Sequence, residues 1–139
     1  MIELRQNRAM YEAVSHDIRV VVEPEFLEDR SQPDQGRYIW AYRIGITNLG
    51  DKTAQLTHRH WKITDANGRR EEVRGPGVVG EQPTLRPGET FKYTSACPLT
   101  TPSGFMAGSY RFVGEDGEEF DVEIPTFSLD TPSAKRTLN

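Results

Sequence analysis

The feature that most constrains this chain is a hydrophobic period of two. In "YIWAYRIGITNLG", Tyr38, Trp40, Tyr42, Ile44 and Ile46 share one parity, with Ala41, Arg43, Gly45 and Thr47 on the other. Successive side chains of a strand point to opposite faces, so this run predicts a half-buried strand. "IRVVVEPEF" repeats the pattern, with Ile18, Val20, Val22 and Phe26 set against Arg19, Glu23 and Glu25. It reads as an edge-like strand, because Pro24 has no N–H for a ladder. Further alternation links Phe91, Tyr93 and Cys97, then Met106, Tyr110 and Phe112, then Phe120, Val122 and Ile124. In "AQLTHRHWKITDANG" the apolar parity changes from Leu56 to Trp61 and Ile63, which predicts a bulge near His58 to His60. Helical spacing is confined to a short piece near Met10 to Val14.

Residues that reverse a chain separate these runs: Asn48 to Gly50, Asn67-Gly68, Pro87-Gly88 and Asp116-Gly117. Asn-Gly and Asp-Gly supply the positive φ angles of tight hairpins, so two hairpins are predicted. The expected fold is all-β, an immunoglobulin-like or fibronectin type III β-sandwich of two antiparallel sheets with about seven strands. A lone cysteine, Cys97, cannot form an internal disulfide, which favours the fibronectin-like variety. Residues 29–37 read as a polar loop between the first two strands. Residues 135–139 read as a flexible tail, since they offer almost nothing to bury.

Charge and composition exclude several classes of function. The 17 basic and 21 acidic residues give a net charge of −4, unlike the basic excess of general nucleic-acid binders. No segment approaches the ~20 apolar residues of a membrane span, and the N-terminus lacks the apolar run of a signal peptide. A cytoplasmic protein without membrane insertion is the expectation.

Two motifs invite chemical readings. "GPGVVG" places Gly75, Gly77 and Gly80 at the spacing of the dinucleotide fingerprint. That fingerprint acts between a strand and a helix whose free amides meet the pyrophosphate. Here "EQPTLRPGE" follows, with two prolines and no helix start, and Pro76 lacks an amide. A glycine-rich connection crossing between sheets is therefore expected, with a nonstandard anion nest as the alternative. In "HRHWK", His58 and His60 point the same way on a strand and supply two imidazoles. A metal would need completion by Cys97, His16 or a carboxylate. The same segment with Arg69 and Arg70 is a basic aromatic patch only if Trp61 is exposed, and its parity with Ile63 places it inside. Cys97 precedes Pro98 with no helix N-terminus beside it, and reads as an inert buried thiol. No nucleophile elbow is present, and "EDGEEFDVE" reads as a hairpin with a solvated acidic face.

The segments "EVRGPGVVGEQP", "LRPGE", "YTSACPL" and "PSGFMAGSY", with "IRVVVEPEFLEDRS" and "YRIGITNLG" upstream, closely resemble the ApaG family, also called CorD. The resemblance runs from about Met10 to Pro132. It implies an ApaG domain over residues 10–134, with residues 1–9 as an N-terminal extension. It also implies a sandwich without demonstrated catalysis. Bacterial members are associated with cobalt resistance and magnesium efflux, and eukaryotic F-box and polymerase-interacting proteins carry related domains that look like protein-binding modules. Where the family commonly has another residue between its first two motif glycines, this chain has Pro76.

The resulting expectation is a non-catalytic binding or regulatory domain without a cofactor, directed at an unidentified protein partner. Its candidate surface is Gly75, Gly77, Gly80, Glu81 and Gln82, because loops on rigid sandwiches tend to carry function. The alternatives are direct divalent-metal binding at His58 and His60, or nucleotide binding at the glycine loop. Exposed edges leave a homodimer open, while the acidic first strand and Pro24 oppose strand pairing.

Overall fold

The computed structural model describes residues 9–132. Two antiparallel sheets pack face to face. One has the order β1 (Tyr11–Ser15), β2 (Ile18–Phe26), β3 (Tyr38–Asn48), β7 (Thr90–Leu99). The other has the order β5 (Arg70–Pro76), β4 (Ala54–Asp65), β8 (Ser103–Gly114), β9 (Glu119–Asp130). The two-residue β6 (Thr84–Leu85) pairs with the start of β4. Two 3-10 turns, Glu28–Arg30 and Pro33–Gln35, lie in the polar β2–β3 loop.

The period-two reading places the core correctly. Ile18, Val20 and Val22 of β2 and Trp40, Tyr42, Ile44 and Ile46 of β3 are buried against Leu56, Trp61, Tyr110, Phe112 and Val122 of the facing sheet. Sheet-on-sheet packing is closed by aromatic contacts: Phe127 meets Tyr42 and Trp61 with ring centroids 5.9 and 6.0 Å apart. Polar tips inside this layer find partners, as burial demands. The Tyr93 and Tyr110 hydroxyls lie 2.6 Å apart, and Trp40 Nε1 donates to the Asp130 carbonyl at 2.9 Å. Asn48, buried at the end of β3, donates to the Lys52 and Leu85 carbonyls and accepts from the Gly50 amide.

Both glycine hairpins form where expected. Gly68 and Gly117 take φ of 85°, between β4 and β5 and between β8 and β9. The β4 bulge also forms, between Leu56 and His58, so the unpaired residue is Thr57.

Four expectations need correction. Among the described residues there are nine strands rather than about seven. The Met10 to Val14 piece is not helical: from Tyr11 on it belongs to β1, joined to β2 by His16 and Asp17 at φ of 50° and 63°. Without glycine, that turn carries no strong sequence signal. β2 is not an edge, because β1 covers Ile18 to Val22, and Pro24 lies just past that pairing. Finally, β9 continues beyond Ile124, because a register shift opposite Met106 to Gly108 moves its buried parity to Phe127 and Leu129. Pro125 sits at that irregularity, where its missing N–H costs no ladder bond. The extension assigned to residues 1–9 lies outside the described residues except for Ala9, as does the tail at 135–139.

Candidate functional site

The glycine segment does not cross between sheets. β5 and β6 both pair along the same edge of β4, and the segment between them loops out and returns to that edge. The crossing falls later, at Arg86 to Glu89, where Gly88 has φ of 85°. The Thr57 bulge explains the attachment. Its carbonyl accepts the Gly77 amide at 2.8 Å and the Gln82 side-chain amide at 3.3 Å, while Gln55 Nε2 donates to the Gln82 carbonyl at 3.0 Å.

Each motif glycine has its own local reason. At Gly75, a Cβ would lie 3.1 Å from the Arg59 guanidinium carbon and nitrogens, so the bare α-carbon makes room for that cation. Gly77 has φ of 62°, and a Cβ there would approach the Glu81 carbonyl oxygen to an impossible 2.3 Å. Gly80, at φ of 81° with Val79 at 42°, completes a two-residue turn with positive φ at both central positions. Val78 and Glu81 close that turn by exchanging amide–carbonyl bonds of 2.8 Å in both directions. Val78 is 1 % exposed and plugs the core, whereas Val79 is 54 % exposed at the tip. Arg59 Nη1 holds the base by donating to the Pro76 and Gly77 carbonyls at 2.9 and 3.0 Å.

A pyrophosphate cradle needs free amides converging at a helix N-terminus. In this turn the amides of Val78 and Glu81 are bonded to each other's carbonyls, the Gly77 amide is bonded to Thr57 of β4, Pro76 has none, and a strand follows. What the arrangement offers instead is a rigid apolar tip beside an exposed carboxylate, Glu81.

His58 and His60 do lie together on the outer face of the five-stranded sheet, beside Ser109, Arg111 and Asp121. Their neighbours are already engaged. His60 Nε2 is 2.9 Å from Glu72 Oε1, His58 Nδ1 is 3.1 Å from Thr57 Oγ1, and Arg111 donates to both Asp121 and Glu119. The His60 contact holds the Glu72 carboxyl below its ordinary range, with Arg74 adding to the effect. Cys97 is buried between the sheets and the His16 ring lies tilted against Phe120, so neither joins these imidazoles. Among the described residues no group of three or more His, Cys, Asp or Glu side chains is arranged to hold a metal. Trp61 is 4 % exposed, so the basic segment has no surface aromatic. Burial pushes the Cys97 thiol up to about 12, leaving it protonated and weakly nucleophilic near neutrality.

Sequence reasoning missed Arg59, Val78 and Val79 as parts of the glycine turn. Arg59 was legible only as one charge in a basic run. Its inward direction follows from the Thr57 bulge, which puts it on the buried side opposite Tyr110. Val78 and Val79 sit between the glycines that drew the eye. Glu71 was missed as well: paired with Ile63, it lies on the inward side of β5 near the β7 edge.

Among the described residues no helix is long and apolar enough to cross a membrane. Comparison with known proteins fits this architecture. A family model described as the ApaG domain matches residues 28–114. Protein ApaG of Methylocella silvestris is 63% identical over 130 residues, covering 94% of this chain and 100% of that one. Protein ApaG of Beijerinckia indica is 58% identical over the same span and coverage. The crystal structure of an ApaA protein from Bordetella pertussis superposes with a TM-score of 0.82 at 51% identity, covering 86% of this chain and 97% of that chain. Family model, relatives and fold agree, and the chain belongs to the ApaG family.

Proposed function

We propose that this ApaG-family chain is a non-catalytic binding module that meets a protein partner through the Gly75–Gly80 turn with Glu81 and Gln82. The family's association with cobalt resistance and magnesium efflux then runs through that partner, in the cytoplasm, without direct ion binding by this domain. The observation that carries the reading is the construction of the turn. Its backbone is bonded on both sides, Val78 anchors it, and Val79 stands exposed beside Glu81. A preorganised apolar tip with an adjacent charge loses little entropy on binding and is suited to a complementary protein surface. Two further features support a non-catalytic role. The thiol is held protonated, and the imidazoles are tied to Glu72 and Thr57 rather than poised beside a nucleophile.

The test is affinity capture from the native cell extract with wild-type chain, Val79→Asn and Glu81→Lys. Asparagine tolerates positive φ, so Val79→Asn removes the apolar tip without straining the turn. The expected result is a partner retained by the wild type and lost from both variants at unchanged melting temperature. Identical captured proteins for all three chains would overturn the proposal.

A further inference from the structure

We propose that the open side of the sandwich is a strand-acceptor groove. An extended peptide of the pattern basic-x-apolar-x-acidic pairs antiparallel with the free edge of β7. The groove adjoins the glycine turn, whose Val78 and Val79 line one end of it, but does not use Glu81 or Gln82.

The backbone edge supplies the first observation. At the start of β7 the Asn48 amide donates to the Glu89 carbonyl and the Asn48 carbonyl accepts from Gly88. Hydrogen-bonded and non-bonded pairs alternate along an antiparallel ladder. This phase directs the polar backbone groups of Phe91, Tyr93, Ser95 and Cys97 to β3. Those of Lys92, Thr94 and Ala96 point away, towards a side where no strand pairs among the described residues. Pro98, with no N–H, ends that edge. Three residues are thus presented for one added strand, a known mode of peptide recognition.

The cleft beneath supplies the second observation. Between the β7 and β5 edges lies a space of about 400 Å³ floored by Trp61, Val73, Cys97 and Met106. A second hollow of about 470 Å³ continues it past Ile63 and Pro98. Side chains at i, i+2 and i+4 of an added strand would enter this space.

Charge sets the pattern. At the turn end, Arg59 spends only Nη1 on the Pro76 and Gly77 carbonyls, so Nε and Nη2 have no acceptor among the described residues. At the other end the carboxylate of Glu71, on the residue paired with Ile63, has no hydrogen bond or ion pair among the described residues, while Arg37 and Arg69 line the same hollow. Arg59 and Ile63 are four residues apart on β4, about 13 Å of strand, which is the reach of positions i and i+4 in the occupant. Antiparallel pairing is the stronger kind and places the basic residue first, over Glu71, and the acidic residue last, on Arg59.

The experiment titrates the full chain with acetylated peptides TKTVTET, TETVTET and TKTVTKT and follows amide resonances. TKTVTET is expected to shift Lys92, Thr94 and Ala96 and to bind about fivefold tighter than either like-charge peptide, the scale of exchanging one partly exposed ion pair for a like-charge contact. Glu71→Lys, at an exposed position, should move the preference to TETVTET. Arg59→Gln should remove discrimination between TKTVTET and TKTVTKT. Equal affinities, an unchanged preference in Glu71→Lys, or no β7 shifts at millimolar peptide would each overturn the proposal. Glu81→Lys, which tests the turn tip, should leave peptide preference unchanged, so the two readings stand or fall separately.

Discussion

The two long sides of this sandwich are closed by different means. On one side β1 lies against β9. The Glu123 amide donates to Ser15 Oγ at 3.0 Å, the Ser128 amide donates to Tyr11 Oη at 3.4 Å, and the Tyr11 ring meets Phe127 at 6.1 Å. On the other side no strand bridges β5 and β7 among the described residues. The space is stopped only at one end, by Val78 and the turn that Arg59 holds. The first side is closed by strand packing, with the positive φ angles of His16 and Asp17 confined to the β1–β2 turn. The second depends on a turn with positive φ at Gly77, Val79 and Gly80, and it retains room and unsatisfied charge. Interfaces tend to form where a fold is left incomplete, and here that is the glycine side.

Breaking the two sides should therefore have unequal effects. Gly77→Ala combines a positive φ with a forbidden approach to the Glu81 carbonyl. Left-handed backbone alone costs roughly 1–2 kcal/mol for an L-residue. With the clash added, a loss of about 3 kcal/mol in urea unfolding is expected, and retained stability would mean that the turn is adaptable. Arg59→Gln removes two carbonyl contacts from a half-buried cation. A loss of about 2 kcal/mol is expected, with faster hydrogen exchange at Val78 and Glu81 but not at Glu123.

Ser15→Ala on the strand-closed side removes one exposed acceptor and should cost about 1 kcal/mol or less. A larger loss would make this side the dependent one and invert the comparison. Gly80→Ala has a positive φ but open space around the new methyl group, so it should fall near 1 kcal/mol, well short of Gly77→Ala. The smallest effect belongs to Glu72→Gln, whose side chain meets His60 on the outer face of the sheet, away from both closures. The carboxyl of Glu72 is lowered by His60, so its contribution is present above the ordinary glutamate value of about 4.3. It is lost as pH falls through the lowered value. The wild-type advantage in melting temperature should therefore be small at neutral pH and vanish in strong acid.

Much of the architecture was legible because a strand writes its environment in alternate residues. The core faces of β2 and β3, the parity change before Trp61, and the hairpins at Gly68 and Gly117 all follow from local rules. The misses share a cause. The β1–β2 turn uses His16 and Asp17 where glycine would announce a reversal, and the change of parity at Pro125 hides the second half of β9. At the candidate site the glycines were visible but their purposes were not. A sequence shows that backbone freedom is available, while the atom that needs it comes from elsewhere in the chain: the Arg59 guanidinium for Gly75 and the Glu81 carbonyl for Gly77.

The sequence alone determined the all-β class, the inward faces and the family, because these rest on periodicity and on long matched motifs. Only the tertiary structure decided that the glycine turn stays on one sheet, that Arg59 points inward, and that one side of the sandwich is left without a bridging strand. Those outcomes depend on which strands become neighbours. Pairing between distant segments is set by the fit of the whole core rather than by any local stretch of residues.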